Sequence, residues 1–318
     1  MTIVNGTTGN DELVTSDAGD ILNGLSGNDR LTSFHDGAKL NAGQGNDFLV
    51  VDSYALDEGR VENNRLDGGS GSDTLESYGS LDCILDGGSG DDFLRVFAAS
   101  VDTTVIGGSG NDDFLLSDSL RTTAHGGSGD DYFQFAFQHD STAKGGSGND
   151  VFFLQESATG NLIDGDSGDD RFDVWVSGNT LNGGSGDDLF EFHQDFRGGI
   201  VVNMVSGETG HDVFRFHLGN DGGPIIQDFH LGGGSEDLLD LQPLFEEAGL
   251  GGQELDWLVL NGYLLVDSSA DVGGDAANDT VIQVDADGFG GSGDPATFAT
   301  LWDVTVGTTD ADANNWLV

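Results

Sequence analysis

Apolar and polar residues alternate in short runs along most of the chain, and each run follows a glycine-rich segment. Such alternation is typical of strands with one buried face. Aligned on the glycine segments, the apolar positions form two inward columns, which predicts strands stacked one coil upon the next. The first column is Leu75, Leu94, Phe114, Phe133, Phe152, Phe172, Phe190 and Phe214, and the second is Val96, Leu116, Phe135, Leu154, Val174, Phe192 and Phe216.

A third apolar column precedes each glycine segment and is expected to face the other two. Its members include small residues opposite the phenylalanines, which suggests that volumes are matched across a thin core. We therefore interpret the aromatic column as plain core. The third column is Leu66, Leu85, Val105, Ala124, Ala143, Ile163, Leu181 and Val205.

Internal repeats explain these columns. Near the N-terminus the period is nine residues, as in "GTTGNDELV" (6–14) and "GLSGNDRLT" (24–32), and further copies start at 42, 68, 87, 107, 126, 145, 165, 183 and 207. If one coil is two nonapeptides, eleven loops line one edge, and the other edge keeps only a weak motif at 15–23. The sequence predicts an all-β, right-handed parallel β-roll of about eleven coils, with "DSYALDEGRVENN" bulging from the second edge.

Composition restricts the partners of this roll. The 318 residues include 57 acidic and 10 Lys or Arg residues, a formal net charge of -47. Basic surfaces for nucleic acid or anionic membranes are therefore not expected, whereas a cationic partner is. The 20 Phe argue against disorder. One Cys excludes an internal disulfide, and the sequence contains no Sec signal peptide and no apolar stretch that could span a membrane.

The repeated loop has the composition of a cation site. In "GGSGNDDFL" (107–115) each glycine is expected to take positive φ and so to let the backbone turn its carbonyls inward, and the sixth-position aspartate adds a carboxylate. Flexible, all-oxygen ligation favours Ca²⁺ over Mg²⁺. We predict these metal-ligating aspartates: Asp11, Asp29, Asp47, Asp73, Asp92, Asp112, Asp131, Asp150, Asp170, Asp188 and Asp212, with Asp20 on the weaker edge. The predicted ligating glycines are Gly68, Gly69, Gly71, Gly87, Gly88, Gly90, Gly107, Gly108, Gly110, Gly126, Gly127, Gly129, Gly145, Gly146, Gly148, Gly165, Gly168, Gly183, Gly184 and Gly186.

These nonapeptides resemble the G-G-x-G-x-D repeats of the RTX (repeats-in-toxin) family over residues 6 to 218. The resemblance implies a β-roll that is disordered without calcium and folds on binding it. Because the full motif occupies only one edge of each coil, a second row of ions is not expected. Eleven loops leave ten gaps, so we expect up to about ten Ca²⁺ ions in a roll over residues 1–218.

Residues 219–318 lack the repeat and are predicted to form a second domain. "EDLLDLQPLF" (236–245) indicates a helix or turn, and "NGYLLVDSS", "NDTVIQVDADG" and "ATLWDVTV" indicate strands that cap the roll. The segment also resembles the C-terminal targeting region of type I secretion substrates, including a terminal "NWLV". Capping and targeting are compatible. The resemblance implies a type I secretion apparatus as a partner and an extracellular location.

Catalytic motifs are missing from the sequence, so we expect no enzyme. There is no H-E-x-x-H, no G-x-S-x-G and no P-loop around Lys39 or Lys144. The seven histidines are scattered along the chain, which predicts no histidine-based catalytic or metal site. "DADANN" (310–315) begins like an EF-hand loop, but the closing Glu does not follow.

Several apolar residues should face outward and suggest a covered patch. They are Phe93, Phe97, Leu115, Tyr132, Val151, Phe153, Trp175, Leu189 and Val213. A neighbouring molecule or the C-terminal domain could cover them. We expect a secreted, calcium-dependent structural protein that self-assembles into a homo-oligomer or lattice at the cell surface, with cell-surface polysaccharide as a further candidate partner. The alternative is the C-terminal calcium-binding and export module of a larger RTX adhesin or toxin.

Overall fold

The computed structural model describes residues 1–53, 60–193, 202–217, 223–231, 236–253, 258, 264–270, 279–284 and 296–301. The chain divides into two compact units, Met1–Ile163 and Asp164–Val318. Both are built almost entirely of strands, and together they contain about eleven turns of parallel β-solenoid. The predicted fold class is confirmed.

Eighteen strands form the first unit, and they fall into two long sheets and one short one. In chain order they are β1 (Ile3–Asn5), β2 (Glu12–Val14), β3 (Ile21–Ser26), β4 (Arg30–Ser33), β5 (Lys39–Gln44), β6 (Phe48–Asp52), β7 (Arg65–Ser70), β8 (Thr74–Tyr78), β9 (Ile84–Ser89), β10 (Phe93–Phe97), β11 (Ser100–Val101), β12 (Thr104–Ser109), β13 (Asp113–Ser117), β14 (Ser119–Leu120), β15 (Thr123–Ser128), β16 (Tyr132–Ala136), β17 (Thr142–Ser147) and β18 (Val151–Gln155).

Each coil contributes one strand to each long sheet. The first sheet runs β1-β3-β5-β7-β9-β12-β15-β17, and its strands lead into the glycine loops. The second sheet runs β2-β4-β6-β8-β10-β13-β16-β18, and its strands follow those loops. Pairing is parallel and in the predicted register, so that Leu94 lies opposite Leu75 and Phe114 opposite Leu94. The short sheet, β11 and β14, lies at the second edge.

The predicted apolar columns are the core. All of their members in the first unit are at most 1% exposed. Phe133 stacks between Phe114 and Phe152 with ring centroids 4.3 and 4.8 Å apart, and Ala124 and Ala143 in the facing sheet leave room for the rings. Burying one such side chain contributes roughly 2–3 kcal/mol, so the stack adds substantially to the apolar stabilisation of the unit.

The second unit continues the same plan and then changes it. Its elements are β19 (Leu162–Ser167), β20 (Arg171–Val174), β21 (Thr180–Ser185), β22 (Leu189–Phe192), β23 (Met204–Thr209), β24 (Val213–Phe216), β25 (Ile225–Ile226), β26 (Leu238–Asp240), α1 (Gln242–Glu247), β27 (Leu264–Ala270), β28 (Asp279–Val284) and β29 (Ala296–Leu301). One sheet runs β19-β21-β23-β25-β29-β28-β27 and the other β20-β22-β24-β26.

Parallel pairing in this unit extends past residue 218, where the sequence repeat ends. β23 pairs with β25, and β24 pairs with β26, so one further coil follows the last recognised motif. β29 then pairs parallel with β25 and antiparallel with β28, which pairs antiparallel with β27. The capping strands predicted after residue 260 are therefore present, and they cover the open edge of β25.

The outward apolar residues also lie where the alternation places them. Every one of the nine is half-buried or exposed while its neighbours in the inward columns are buried, with Tyr132 38% and Trp175 37% exposed. Within the predicted insertion, residues 54–59 are outside the described part of the chain, as are "DADANN" and "NWLV". No helix among the described residues has the length and hydropathy that crossing a membrane requires.

Candidate metal centre

Glycine is required in the loops for two different reasons. The second and fourth motif positions have positive φ, for example Gly88 at 103° and Gly90 at 116°, and a Cβ at either would lie less than 3.0 Å from a carbonyl oxygen of the preceding coil. Positive φ also occurs at the other predicted sites, which are Gly69, Gly71, Gly108, Gly110, Gly127, Gly129, Gly146, Gly148, Gly168, Gly184 and Gly186.

The first glycine of each motif does not have positive φ, contrary to the expectation that every glycine supplies it. A Cβ on Gly107 would instead lie less than 3.0 Å from Asp112 Oδ2 and from the carbonyl oxygen of Gly126 in the next coil. Two oxygens from different coils therefore converge beside this glycine. The same arrangement occurs at Gly68, Gly87, Gly126, Gly165 and Gly183, and Gly145 supplies the next-coil oxygen for Gly126.

The loop aspartates form a ladder in the first unit. The backbone N–H of each member before the last donates to Oδ1 of the aspartate one coil later, over 2.6–2.8 Å. Because the carboxylates repeat with the coils, each lies next to others of the same charge. The members are Asp11, Asp29, Asp47, Asp73, Asp92, Asp112, Asp131 and Asp150.

The second oxygen of these carboxylates distinguishes a cation site from an ordinary turn. Oδ2 is buried and has no hydrogen-bond partner in Asp29, Asp47, Asp73, Asp92, Asp112 and Asp131. An unsatisfied buried carboxylate oxygen is costly, and native structures rarely leave one without a partner or an ion. The repetition of the feature in coil after coil indicates that these oxygens are arranged for a ligand.

Burial also changes the acidity of the ladder. Desolvation, reinforced by the charges of Asp73 and Asp112, raises the pKa of Asp92 to about 7, and burial raises the pKa of Asp131 equally. The pKa of Asp73 and of Asp112 rises to about 6 for the same first reason. The folded loops therefore disfavour the ionised carboxylates unless positive charge is supplied.

A second ladder, in the second unit, extends one residue further than predicted. Asp170 N–H donates to Asp188 Oδ1 at 2.8 Å, Asp188 to Asp212 at 3.0 Å, and Asp212 to Asp237 at 3.2 Å. Oδ2 of Asp188 and of Asp212 is buried and unpartnered. Burial raises the pKa of Asp188 to about 8 and that of Asp212 to about 7.

Two aspartates complete the end of this second ladder, and sequence reasoning missed both. Asp237 Oδ2 accepts the backbone N–H of His230 at 2.6 Å, and Asp228 accepts the N–H groups of Gly207 and Glu208. Asp237 is followed by the same apolar alternation as the repeats, with Leu239 and Leu241 buried. That alternation was the available signal, although the glycines that normally precede the aspartate are missing.

Asp11 and Asp20 differ from the other predicted ligands. Asp11 Oδ2 accepts hydrogen bonds from the backbone and hydroxyl of Thr7. Asp20 Oδ2 accepts three, from the N–H groups of Ser16 and Asp17 and from the Ser16 hydroxyl. Although burial alone would raise the pKa of Asp20, its backbone hydrogen bonds lower it below its usual range. The protein itself therefore satisfies both carboxylates.

The second edge has a neutral counterpart of the ladder. Asn64 Oδ1 accepts the Ala38 N–H at 2.7 Å, Asn161 Oδ1 the Ser141 N–H at 3.0 Å, and Ser141 Oγ the Thr122 N–H at 2.9 Å. Amide and hydroxyl groups perform here the hydrogen bonding that Oδ1 performs at the first edge. These three acceptors are neutral, unlike the carboxylates that occupy the corresponding positions at the first edge.

The donor set of the first edge fits calcium. Carboxylate and backbone carbonyl oxygens are its preferred ligands, and a repeating glycine loop tolerates its flexible coordination better than the strict octahedron of Mg²⁺. No sulfur or nitrogen donor occurs among the described ladder side chains, which disfavours zinc or copper at this edge. The buried Oδ2 atoms and the next-coil carbonyls are the groups that would hold such an ion.

A different cluster lies on the outward face of the second unit. One ligand atom of each of Glu191, His193 and His217 lies within 4.8 Å of the others. The histidines are separated by 24 residues in the sequence, and parallel pairing of β22 with β24 brings them together. Histidines that are scattered in the sequence therefore lie close together here, because spacing by a whole coil is proximity in a solenoid; the prediction that they form no metal site stays a prediction.

No protein-family model matches this chain, and no curated protein matches it significantly. The fold and the site nevertheless define a class: a parallel β-solenoid whose loop edge carries stacked, buried aspartates.

Proposed function

We propose that this protein folds on binding calcium along the aspartate ladders, and that the ions act structurally rather than catalytically. The observation that carries the proposal is the series of buried Oδ2 atoms without partners, most of which lie beside the first position of their loop together with a carbonyl oxygen of the next coil. A bound divalent ion would supply the positive charge that the ladder lacks. The RTX resemblance of the loops supports the same choice of ion.

The cost of the charged ladder supports dependence on the ion. If the pKa of an aspartate rises from 3.8 to about 7 on folding, its ionisation lowers the stability of the folded chain at pH 8 by roughly 4 kcal/mol. Six described aspartates have a pKa of about 6 to 8. The charge cost therefore recurs in several coils, and it opposes a net stability that is only about 5–15 kcal/mol in a folded domain.

Circular dichroism with and without calcium tests this proposal. We expect a β-sheet spectrum in millimolar calcium chloride and a disordered spectrum in excess EDTA at pH 8, and calcium added back should restore the sheet. The same sheet content in both solutions would contradict the proposal, because the ladder would then be stable without an ion.

We further propose that the chain is exported by a type I apparatus and assembles with copies of itself outside the cell. Low calcium inside would keep it unfolded, and higher calcium outside would fold it. The outward apolar residues of β10, β13, β16 and β18 support assembly, since Leu115 and Phe153 lie on the same half-buried face as Tyr132. The alternative, an export module of a larger adhesin or toxin, predicts that the chain stays monomeric.

Electron microscopy separates these two alternatives. Ordered sheets or filaments in calcium that dissolve in EDTA would support assembly, and separate particles would support the module. Phe153→Lys should prevent assembly by placing a charge on the apolar face, whereas Thr123→Lys, outward on the other sheet, should not. Assemblies that survive EDTA, or that tolerate Phe153→Lys as well as Thr123→Lys, would contradict the proposal.

A further inference from the structure

The outward surface of β20, β22 and β24 carries two adjacent columns of functional side chains. Asp173 lies one coil from Glu191, with Trp175 beside it in the next column. Trp175 stacks on His193 with ring centroids 4.1 Å apart, and His193 stacks on His217 at 4.5 Å. The two imidazoles are thus held side by side, and their side chains are only 15% and 22% exposed.

Arg171 orients the two carboxylates beside these rings. Its Nη2 atom lies 3.0 Å from Asp173 Oδ2 and 2.8 Å from Glu191 Oε2. The other oxygen of each carboxylate faces a histidine: Asp173 Oδ1 lies 2.6 Å from His193 Nε2, and Glu191 Oε1 lies 3.0 Å from His217 Nε2. In both carboxylates, one oxygen therefore contacts Arg171 and the other contacts an imidazole.

His217 has a carboxylate at both ring nitrogens. Nε2 faces Glu191, and Nδ1 lies 3.2 Å from Oε1 of Glu247, which ends helix α1. A neutral imidazole carries one N–H, so it can donate to only one of these partners, and its other nitrogen presents a lone pair to a carboxylate. This arrangement requires a further positive charge, either a second proton or a cation.

The charge of the cluster favours a divalent cation. Asp173, Glu191, Asp240 and Glu247 contribute four negative charges, and Arg171 and Arg215 contribute two positive ones, which leaves two negative charges. Protonating both histidines would place two like charges in rings stacked 4.5 Å apart. One divalent ion bound by neutral imidazoles balances the same charge without that repulsion.

We infer that Glu191, His193 and His217 form a binding site for a divalent transition-metal ion, with zinc as its best representative. Imidazole nitrogen with a carboxylate oxygen is a donor set that zinc prefers and calcium does not. Zinc-ligating histidines commonly donate their other N–H to a carboxylate, and Glu247 occupies that position for His217. Asp173 Oδ1 lies 2.6 Å from His193 Nε2 and offers a fourth donor, the second oxygen of the set.

The site is independent of the calcium ladders in composition and in place. Its ligands lie on the outward face of the sheet, whereas the ladder aspartates lie in the loops that precede the strands. Zinc binding is therefore testable in the calcium-loaded protein, whichever role calcium has. Adjacent coils supply the two histidines, so bound zinc would also join β22 to β24 through their side chains.

Calorimetric titration of the folded chain with zinc chloride in excess calcium tests the inference. We expect one zinc ion per chain, and we expect the affinity to fall more than about 100-fold in His193→Ala and in His217→Ala. Glu247→Gln should weaken binding by about 10- to 100-fold, because it removes only the acceptor of the Nδ1 proton. His139→Ala, which alters a histidine of the first unit, should leave the affinity unchanged.

Cobalt(II) gives a second readout that does not depend on affinity. Its visible absorption should show nitrogen ligation in the wild type and lose it in His217→Ala and in the more conservative His217→Gln, with circular dichroism confirming that both variants fold in calcium. Zinc binding that is equally strong in the wild type and in both histidine variants would overturn the inference and assign the ions to the carboxylate loops. The absence of saturable zinc binding to the wild type would overturn it as well.

Discussion

Replacing Asp131 by Asn should have opposite effects with and without calcium. Asp131 lies in the middle of the first ladder, is 1% exposed, and uses Oδ1 to accept the N–H of Asp112. Asn keeps that acceptor and is similar in shape to a protonated aspartic acid. It removes the charge whose burial raises the pKa of Asp131 from 3.8 to about 7.

The expected magnitudes follow from this shift. At pH 6 Asp131 is ionised in the unfolded chain and mostly protonated in the folded one. Because folding must then take up a proton, the raised pKa of Asp131 lowers the free energy of unfolding by about 3 kcal/mol. Asp131→Asn should therefore stabilise the chain in EDTA by up to about 3 kcal/mol. In calcium the same change removes a charged ligand, and each tenfold loss of affinity at a saturated site lowers stability by about 1.4 kcal/mol.

Urea unfolding followed by circular dichroism at pH 6, once in EDTA and once in calcium, measures both effects. Asp130→Asn is the matched control because it removes the same charge one residue away, at an exposed position. Asp130 Oδ1 accepts the N–H of Asn149 in the next coil. At the equivalent position one coil earlier, Asn111 Oδ1 accepts the N–H of Asp130, so an asparagine can make the same hydrogen bond at position 130. Because the charge of Asp130 is a minor cause of the raised pKa of Asp131, the control should stabilise the chain in EDTA only slightly, by less than about 0.5 kcal/mol.

Equal signs for Asp131→Asn in the two solutions would refute the reasoning, as would equal effects of the two variants. If the wild type is unfolded in EDTA at pH 6, the readout becomes the pH at which the sheet signal appears on acidification. Asp131→Asn should move that midpoint to higher pH, and Asp130→Asn should move it much less.

Three further predictions concern the ladder and its loops. In EDTA the sheet should become more stable as pH falls from 8 to 5. The folded pKa values of about 6 to 8 lie above the unfolded value, so the stability that protonation contributes is complete below pH 4 and is lost as pH rises through the folded values. A pH titration by circular dichroism that shows no gain on acidification would contradict this. Gly108→Ala should lower the midpoint of thermal unfolding in calcium far more than Gly19→Ala does. Both glycines have positive φ, but only at Gly108 does a carbonyl oxygen lie within 3.0 Å of the added Cβ. Similar midpoints for the two variants would mean that this close approach is unimportant. Leu25→Gly should stabilise the chain in urea unfolding by about 1 kcal/mol, because Leu25 is 51% exposed at φ 82°; a loss of stability would show that its side chain contributes packing.

Much of the fold was predictable because its repeats are local. The spacing of Leu75, Leu94 and Phe114 defines the coil length, and parallel stacking follows once every coil has the same length. The aspartate ladder was predictable for the same reason, since a motif that recurs once per coil must lie in register. Glycine was predicted to supply positive φ throughout, but at the first motif position it supplies space for a carboxylate and a carbonyl instead.

The parts that were missed depend on contacts between residues that no repeat connects. Asp237 belongs to a coil that lacks the glycine motif, so the alternation after it was the one sequence signal, and its hydrogen bond with Asp212 places it in the ladder. Glu247 reaches His217 from a helix outside the repeat. Whether a carboxylate is satisfied is also a tertiary property: Asp20 resembles the ladder aspartates in the sequence, but local N–H groups satisfy it.

The sequence by itself determined the coil, the alternation of inward and outward side chains, and the edge on which the acidic loops lie, because each depends on spacing along the chain. Only the tertiary structure decided which carboxylate oxygens are left without a partner and which distant side chains meet on the outward face. Those outcomes depend on the direction of individual atoms after the coils stack. Periodicity places residues in columns, but hydrogen bonding between coils determines what each column can bind.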